Sequence, residues 1–140
     1  MKGRIVLVSG LILSLVSVCC IGQESMTLED RVWKLDSYVN DAGNLVNLLP
    51  DTEITAQFSG GVVGGSAGCN SYSAEYEVHG SAITIGHSRM TLMYCYPEEV
   101  MNQEQDYISA LQEATNYKIK GNTLEMTNAD GKVILVFTAA

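Results

Sequence analysis

The sequence predicts an α+β fold that is mainly β: an antiparallel sheet curled into a small barrel or half-barrel, with one helix near residues 97–115. Two observations carry this expectation. Short apolar stretches alternate with polar residues at the period of two that suits a half-buried strand, and Gly, Asn and Asp punctuate them. Only one segment repeats its apolar residues at spacings of three and four. Many short strands and a lone helix bury their apolar faces most simply in a curled antiparallel sheet.

Taken in order, Val32-Trp33-Lys34-Leu35-Asp36-Ser37-Tyr38-Val39 is rich in β-branched and aromatic residues and reads as the first strand. Asn40 to Asn44 makes a turn, and Leu45 to Leu49 returns. Ile54, Ala56 and Phe58 alternate with Thr55 and Gln57. The glycine-rich stretch from Gly60 to Gly68 follows; glycines between strands let a backbone bend tightly or approach a neighbour. Ala74–Val78, Ala82–Ile85 and Met90–Tyr94 read as further strands, with His79-Gly80 as one turn.

Pro97 suits a first helical position, and Glu98 and Glu99 suit the positive end of the helix dipole. Val100, Met101, Glu104, Ile108, Leu111 and Thr115 continue the helical spacing, with Tyr107 adding to the apolar face. Tyr117–Lys120 and Thr123–Met126 flank Gly121-Asn122, a type II′ hairpin signal. Asn128 to Gly131 turns into a last strand, Lys132 to Thr138.

The first 22 residues read as a signal segment. Lys2 and Arg4 form a basic start, and Ile5 to Val18 is apolar apart from Ser9, Gly10, Ser14 and Ser17, shorter than the ~20 residues of a comfortable membrane span. A cysteine at the end of such a run resembles a lipoprotein signal, with Cys19 or Cys20 as the lipidated residue. The fit is imperfect: Val18 is bulky before Cys19, and the usual Leu is missing before Cys20. A plain cut after Gly22 is the competing reading. Residues 23–30 then form a short tether and residues 31–138 one domain, outside the cytoplasm in the cell envelope and held to the membrane by an N-terminal lipid or an uncleaved leader.

Charge narrows the partners. The chain holds 8 basic and 16 acidic side chains, a net of −8, and two of the basic ones, Lys2 and Arg4, leave with the leader, so the domain carries −10. Such a surface repels phosphate backbones, and no basic stripe interleaves with aromatics, so nucleic acid is excluded as a partner. Anionic headgroups are disfavoured for the same reason.

An ordered set of motifs resembles the META domain family, the HslJ-like heat-shock lipoproteins. The set runs from Trp33-Lys34-Leu35 through Phe58, Gly68-Cys69-Asn70-Ser71-Tyr72 and Tyr76. It continues with Ile85, Thr91-Leu92-Met93-Tyr94-Cys95, Glu104, Tyr107 and Leu111, and ends with Tyr117, Leu124 and the last strand. It covers essentially the whole domain. Tyr94 stands where the family usually has a small residue, and Ala74 replaces a common glycine. The resemblance implies an exported, often lipid-anchored protein whose biochemical activity is not established.

Cys69 and Cys95 stand alone in the domain, and in an oxidising compartment they are expected to form a structural disulfide that stabilises the fold by roughly 3–4 kcal/mol. Buried free thiols are the alternative. Neither a Cys-x-x-Cys in the domain nor spaced histidines supply a zinc set, and no cofactor is expected. The glycine-rich run lacks the Lys and Ser/Thr of a phosphate loop. His79 and His87 read as turn residues, Glu75 and Glu77 as solvent-facing, and Glu98 and Glu99 as helix-start acids. Glu104, on the apolar stripe of the helix, is expected to bond backbone or a Tyr.

No nucleophile–base set is legible, so an enzyme is not expected. The expected role is binding of an envelope protein, with stress-related maintenance implied by the family resemblance. Two alternatives stand beside it: carriage of a small apolar ligand in the barrel, and inhibition of a basic hydrolase through a protruding loop before Cys69 or around His87–Arg89.

Overall fold

A computed structural model describes residues 27–29 and 31–140. The signal segment, Cys19, Cys20 and most of the tether lie outside the described residues. Among the described residues, no helix is long and apolar enough to cross a membrane.

Ten strands and one helix follow in order: β1 (Val32–Val39), β2 (Leu45–Asn47), β3 (Thr55–Ser59), β4 (Val62–Ser66), β5 (Ser71–His79), β6 (Ala82–Ile85), β7 (Arg89–Met90), α1 (Glu98–Glu113), β8 (Asn116–Lys120), β9 (Thr123–Thr127) and β10 (Val133–Ala139). Eight of the strands pair in the cycle β1-β3-β4-β5-β6-β8-β9-β10, and β10 returns to β1, so the sheet is a closed antiparallel barrel. The short strands β2 and β7 attach outside the cycle, to β1 and β5. Closure decides between the barrel and half-barrel left open by the sequence. Its narrowest joint is β6–β8, where Ala82 faces Asn116 and the Ile83 and Tyr117 amides donate across to Thr115 and Ser81 at 3.0 and 2.9 Å.

Strand alternation fills the interior. Trp33, Phe58, Val63, Leu124, Met126, Leu135 and Phe137 are completely buried, whereas Lys34, Gln57, Glu75 and Glu77 face out. Two irregularities adjust the phase. The β1–β10 register shifts between Leu35 and Ser37, and the β9–β10 register shifts between Val133 and Leu135, as β-bulges do when a sheet must curl.

Both ends are covered. The helix packs on β1, β10 and β6; β6 lies four strands from β1 in either direction around the cycle, so α1 spans an opening rather than lying along a wall. At the far end Leu28 is buried, the Trp33 indole donates to its carbonyl at 2.9 Å, and the Tyr76 hydroxyl bonds the Glu29 carboxylate. Both β1 and β5 run between these ends: Tyr38 and Tyr72 lie by the helix, and Trp33 and Tyr76 by Leu28 and Glu29.

Three sequence expectations change. The glycine-rich stretch contains strand β4, because its glycines serve close approach as well as turning. A Cβ at Gly64 would sit 2.9 Å from the Tyr72 carbonyl oxygen, and one at Gly65 only 2.4 Å from that of Thr55. Met90–Tyr94 is not a strand beyond Met90, because Asn70 captures the chain there. The helix ends at Glu113 and not near Thr115, since the Thr115 amide joins the sheet by donating to Thr127 at 2.9 Å. Pro97 precedes the first turn as its cap residue.

Gly65→Ala is expected to force β3 and β4 apart and destabilise the domain by about 1–3 kcal/mol, the range for overpacked sites. Urea unfolding checks it; Ser66→Ala, one residue along, serves as the milder comparison.

Candidate functional site

The helix end of the barrel carries a polar network that fixes one surface loop. Glu104 lies on the buried face of α1 and is 5% exposed. Its carboxylate accepts from the Cys69 amide at 3.1 Å, the Asn70 amide at 2.6 Å and the Asn70 side-chain amide at 2.7 Å. A carboxylate on an apolar stripe is tolerable when charge-assisted hydrogen bonds replace its water. The expectation that Glu104 bonds backbone is met.

Asn70 relays this grip outward. Its Nδ2 also donates to the Met93 carbonyl at 3.1 Å, and its Oδ1 accepts from the Thr91 hydroxyl at 2.8 Å and the Met93 amide at 2.7 Å. Cys69, beside it, is disulfide-bonded to Cys95, with Cα atoms 5.9 Å apart. The Cys95 amide donates to Met101 Sδ at 3.4 Å. Every second residue of the loop, at 91, 93 and 95, is therefore tied to the barrel or helix.

Between those ties the side chains project into solvent. Leu92 is 97% exposed, Met93 58%, Tyr94 60% and Tyr96 85%. Tyr94 and Tyr96 meet edge to face with centroids 5.1 Å apart. Large apolar side chains grouped on a surface mark interaction sites more often than single ones do. An apolar tip on a fixed backbone loses little entropy when it enters a partner. Sequence reasoning read this run as a strand. The signal against a strand was present: Leu92-Met93-Tyr94 has no polar alternation, and Cys95 and Pro97 follow at once.

Other candidate residues fall elsewhere. His79, expected in a turn, is instead the exposed last residue of β5, paired with Ala82 and 4.0 Å from Glu77. His87 lines a surface cleft of about 160 Å³ with Ser73, Glu75 and Arg89, and no hydrogen bond joins it to Ser73 or Glu75 among the described residues. The segment before Cys69 forms β4, and the chain around His87–Arg89 follows the barrel wall into β7, so the protruding loop lies at neither place expected for an inhibitor. Glu98 and Glu99 are exposed in the first helical turn. Asp106, a little further along α1, is pushed up by burial; the Asp41 amide pulls against that shift and the Asp41 charge adds to it.

A second network anchors the helix more deeply. Gln103 accepts from the Leu49 amide at 2.7 Å and donates to Thr52 Oγ1 at 3.0 Å. Tyr107 and Tyr72 share a hydroxyl–hydroxyl bond of 2.6 Å, and the Tyr72 hydroxyl reaches the Thr55 carbonyl at 2.9 Å. Burial raises the phenol pKa of both well above its usual value. At the other end Tyr76 is pushed up to about 12, by burial first and then by its bond to Glu29.

Two outcomes follow. Glu104→Ala is expected to cost about 3 kcal/mol by stranding buried amides and to speed hydrogen exchange at the Met93 amide, measured by NMR. Phenols whose folded pKa lies above the unfolded value of about 10 contribute stability that is complete below pH 10 and lost as pH rises through the folded pKa. Unfolding free energy should therefore fall between about pH 10 and 12, and Tyr76→Phe should flatten that fall. Urea unfolding across this range checks it.

Comparison with known proteins places this geometry. The model of the META domain matches residues 26–140. A Burkholderia xenovorans protein solved by NMR is similar with a TM-score of 0.65 and 21% identity, over 81% of this chain and 83% of its own. Another NMR structure gives 0.59 and 20%, over 80% and 91%. A crystal structure of a duf4847 family protein from Bacteroides vulgatus gives 0.53 and 17%, over 79% and 93%. At these identities the likeness concerns the fold. No curated protein matches. With its motifs in order, its barrel closed and the family match spanning the whole described domain, the chain belongs to the META domain family.

Proposed function

We propose that this META-domain protein is exported, anchored at the cell envelope through a lipid on Cys19 or Cys20, and acts by binding another envelope protein. The observation that carries the binding role is the Leu92–Tyr96 loop, apolar, exposed and fixed at its alternate residues. The disulfide agrees with an oxidising compartment. Support for export comes from the leader sequence. Stress-related maintenance of the envelope enters through the family resemblance. Catalysis forms no part of the proposal.

The interior is occupied by completely buried aromatic and aliphatic side chains, which favours binding at the outer loop over carriage of an apolar ligand within. Inhibition of a basic hydrolase is the second reading, favoured by a rigid loop that stands beside Glu98 and Glu99.

Leu92→Ser with Tyr96→Ser is expected to weaken association at least about tenfold, while unfolding free energy stays within about 0.5 kcal/mol of wild type. Co-purification from gently solubilised membranes, quantified without reductant, checks it. Equal recovery of the same companions by both proteins would end the binding role of the loop. Native mass spectrometry of the same material reads the N-terminus: a lipid-modified cysteine agrees with lipid anchoring, and a free N-terminus cut after Gly22 overturns it.

A further inference from the structure

Resting on that binding role, we infer that the partner of the Leu92–Tyr96 loop is a protein surface with an apolar pocket ringed by basic side chains. Between Arg89 and Lys118 the sequence holds five acids and no base. The loop and the whole of α1 fall inside that interval. Glu98 and Glu99 follow the apolar tip directly and are exposed. Asp51, also exposed, precedes Thr52, which Gln103 grips one helical turn beyond Glu99. The nearest base in sequence, Arg89, lines its cleft with Glu75 and His87. Lys34 is paired with Glu53 at 2.8 Å.

An apolar tip flanked on its helix side by exposed acids selects its complement. Opposite charges around a buried apolar centre raise the encounter rate and fix the orientation, and like charges there are strongly unfavourable. A second copy of this chain would set the exposed Glu98 and Glu99 of each against the other. An anionic bilayer surface meets the same repulsion, and the loop sits at the wrong end for the anchoring membrane. The chain enters the barrel at Leu28, whereas the loop is tied through Asn70 to Glu104 at the helix end. The eight residues of β1 separate those ends, about 25 Å of extended chain.

The test places a photoactivatable benzophenone side chain at Leu92 or Tyr96 in the full chain and irradiates membranes from the native host. Cross-linking yield is compared across three proteins: the parent, Glu98→Gln with Glu99→Gln, and Glu75→Gln with Glu77→Gln. The last makes the same change in net charge on the outer face of β5, away from the loop. The expected result is a discrete protein adduct. Its yield should fall about fivefold or more in the Glu98/Glu99 variant and in 0.5 M salt and hold in the Glu75/Glu77 variant.

A protein adduct indifferent to both salt and Glu98/Glu99 overturns the basic-ring partner and leaves the binding role standing. Equal losses in the two charge variants overturn it as well, because net charge and not its placement would then be responsible. An adduct of twice the chain mass, or one with lipid, replaces the partner with a second copy or a membrane. No adduct at either position overturns the binding role itself.

Discussion

The Glu104 carboxylate holds together parts of the chain that are distant in sequence. It sits in the middle of the helix, yet its three hydrogen bonds run to the Gly68-Cys69-Asn70 turn between β4 and β5. Through Asn70 the constraint passes to Thr91 and Met93, and through Cys69 to Cys95. Helix, turn and loop thus share one polar centre at one end of an otherwise apolar barrel. A side chain without an acceptor at 104 would leave these amides buried and unpaired, so the side-chain oxygens are integral to the fold.

The barrel itself is held by simpler means. Alternation places one large side chain inward at every second position, and the closed cycle leaves β1 and β10 no free edge toward each other. The two ends are treated differently. The helix covers one with Gln103, Glu104 and Tyr107, polar groups that have all found partners, while Leu28 and its neighbours cover the other with an aliphatic side chain and two aromatic hydrogen bonds. Specific geometry is concentrated at the helix end, where the exposed loop lies.

Much of this was legible in the sequence, for a physical reason: strand period, turn residues and helix spacing are local signals. The paired cysteines and the awkward carboxylate at 104 also stood out as residue types in the wrong surroundings. Strand β4 was hidden because glycine looks alike whether it turns a chain or lets two backbones approach, and only the neighbouring Thr55 and Tyr72 carbonyls tell the cases apart. The loop was only half legible: Leu92-Met93-Tyr94 has strand composition, although it lacks polar alternation and Cys95 and Pro97 follow at once. What keeps it out of the sheet is Asn70, more than twenty positions away, and no local pattern records that. Asn70 stands in the sequence only as part of a motif; the four hydrogen bonds of its side chain belong to the tertiary structure.

Closure between the first and last strands has a consequence for how the molecule is made. Trp33 faces Ala139 and Leu35 faces Phe137, so the cycle cannot be completed until β10 has been made. A growing chain meanwhile has hairpins such as β3–β4 and β5–β6 available but no closed core. Contacts this distant in sequence form slowly once they become possible. Synthesis therefore delivers hairpins before a core, and the barrel shuts only when β10 arrives.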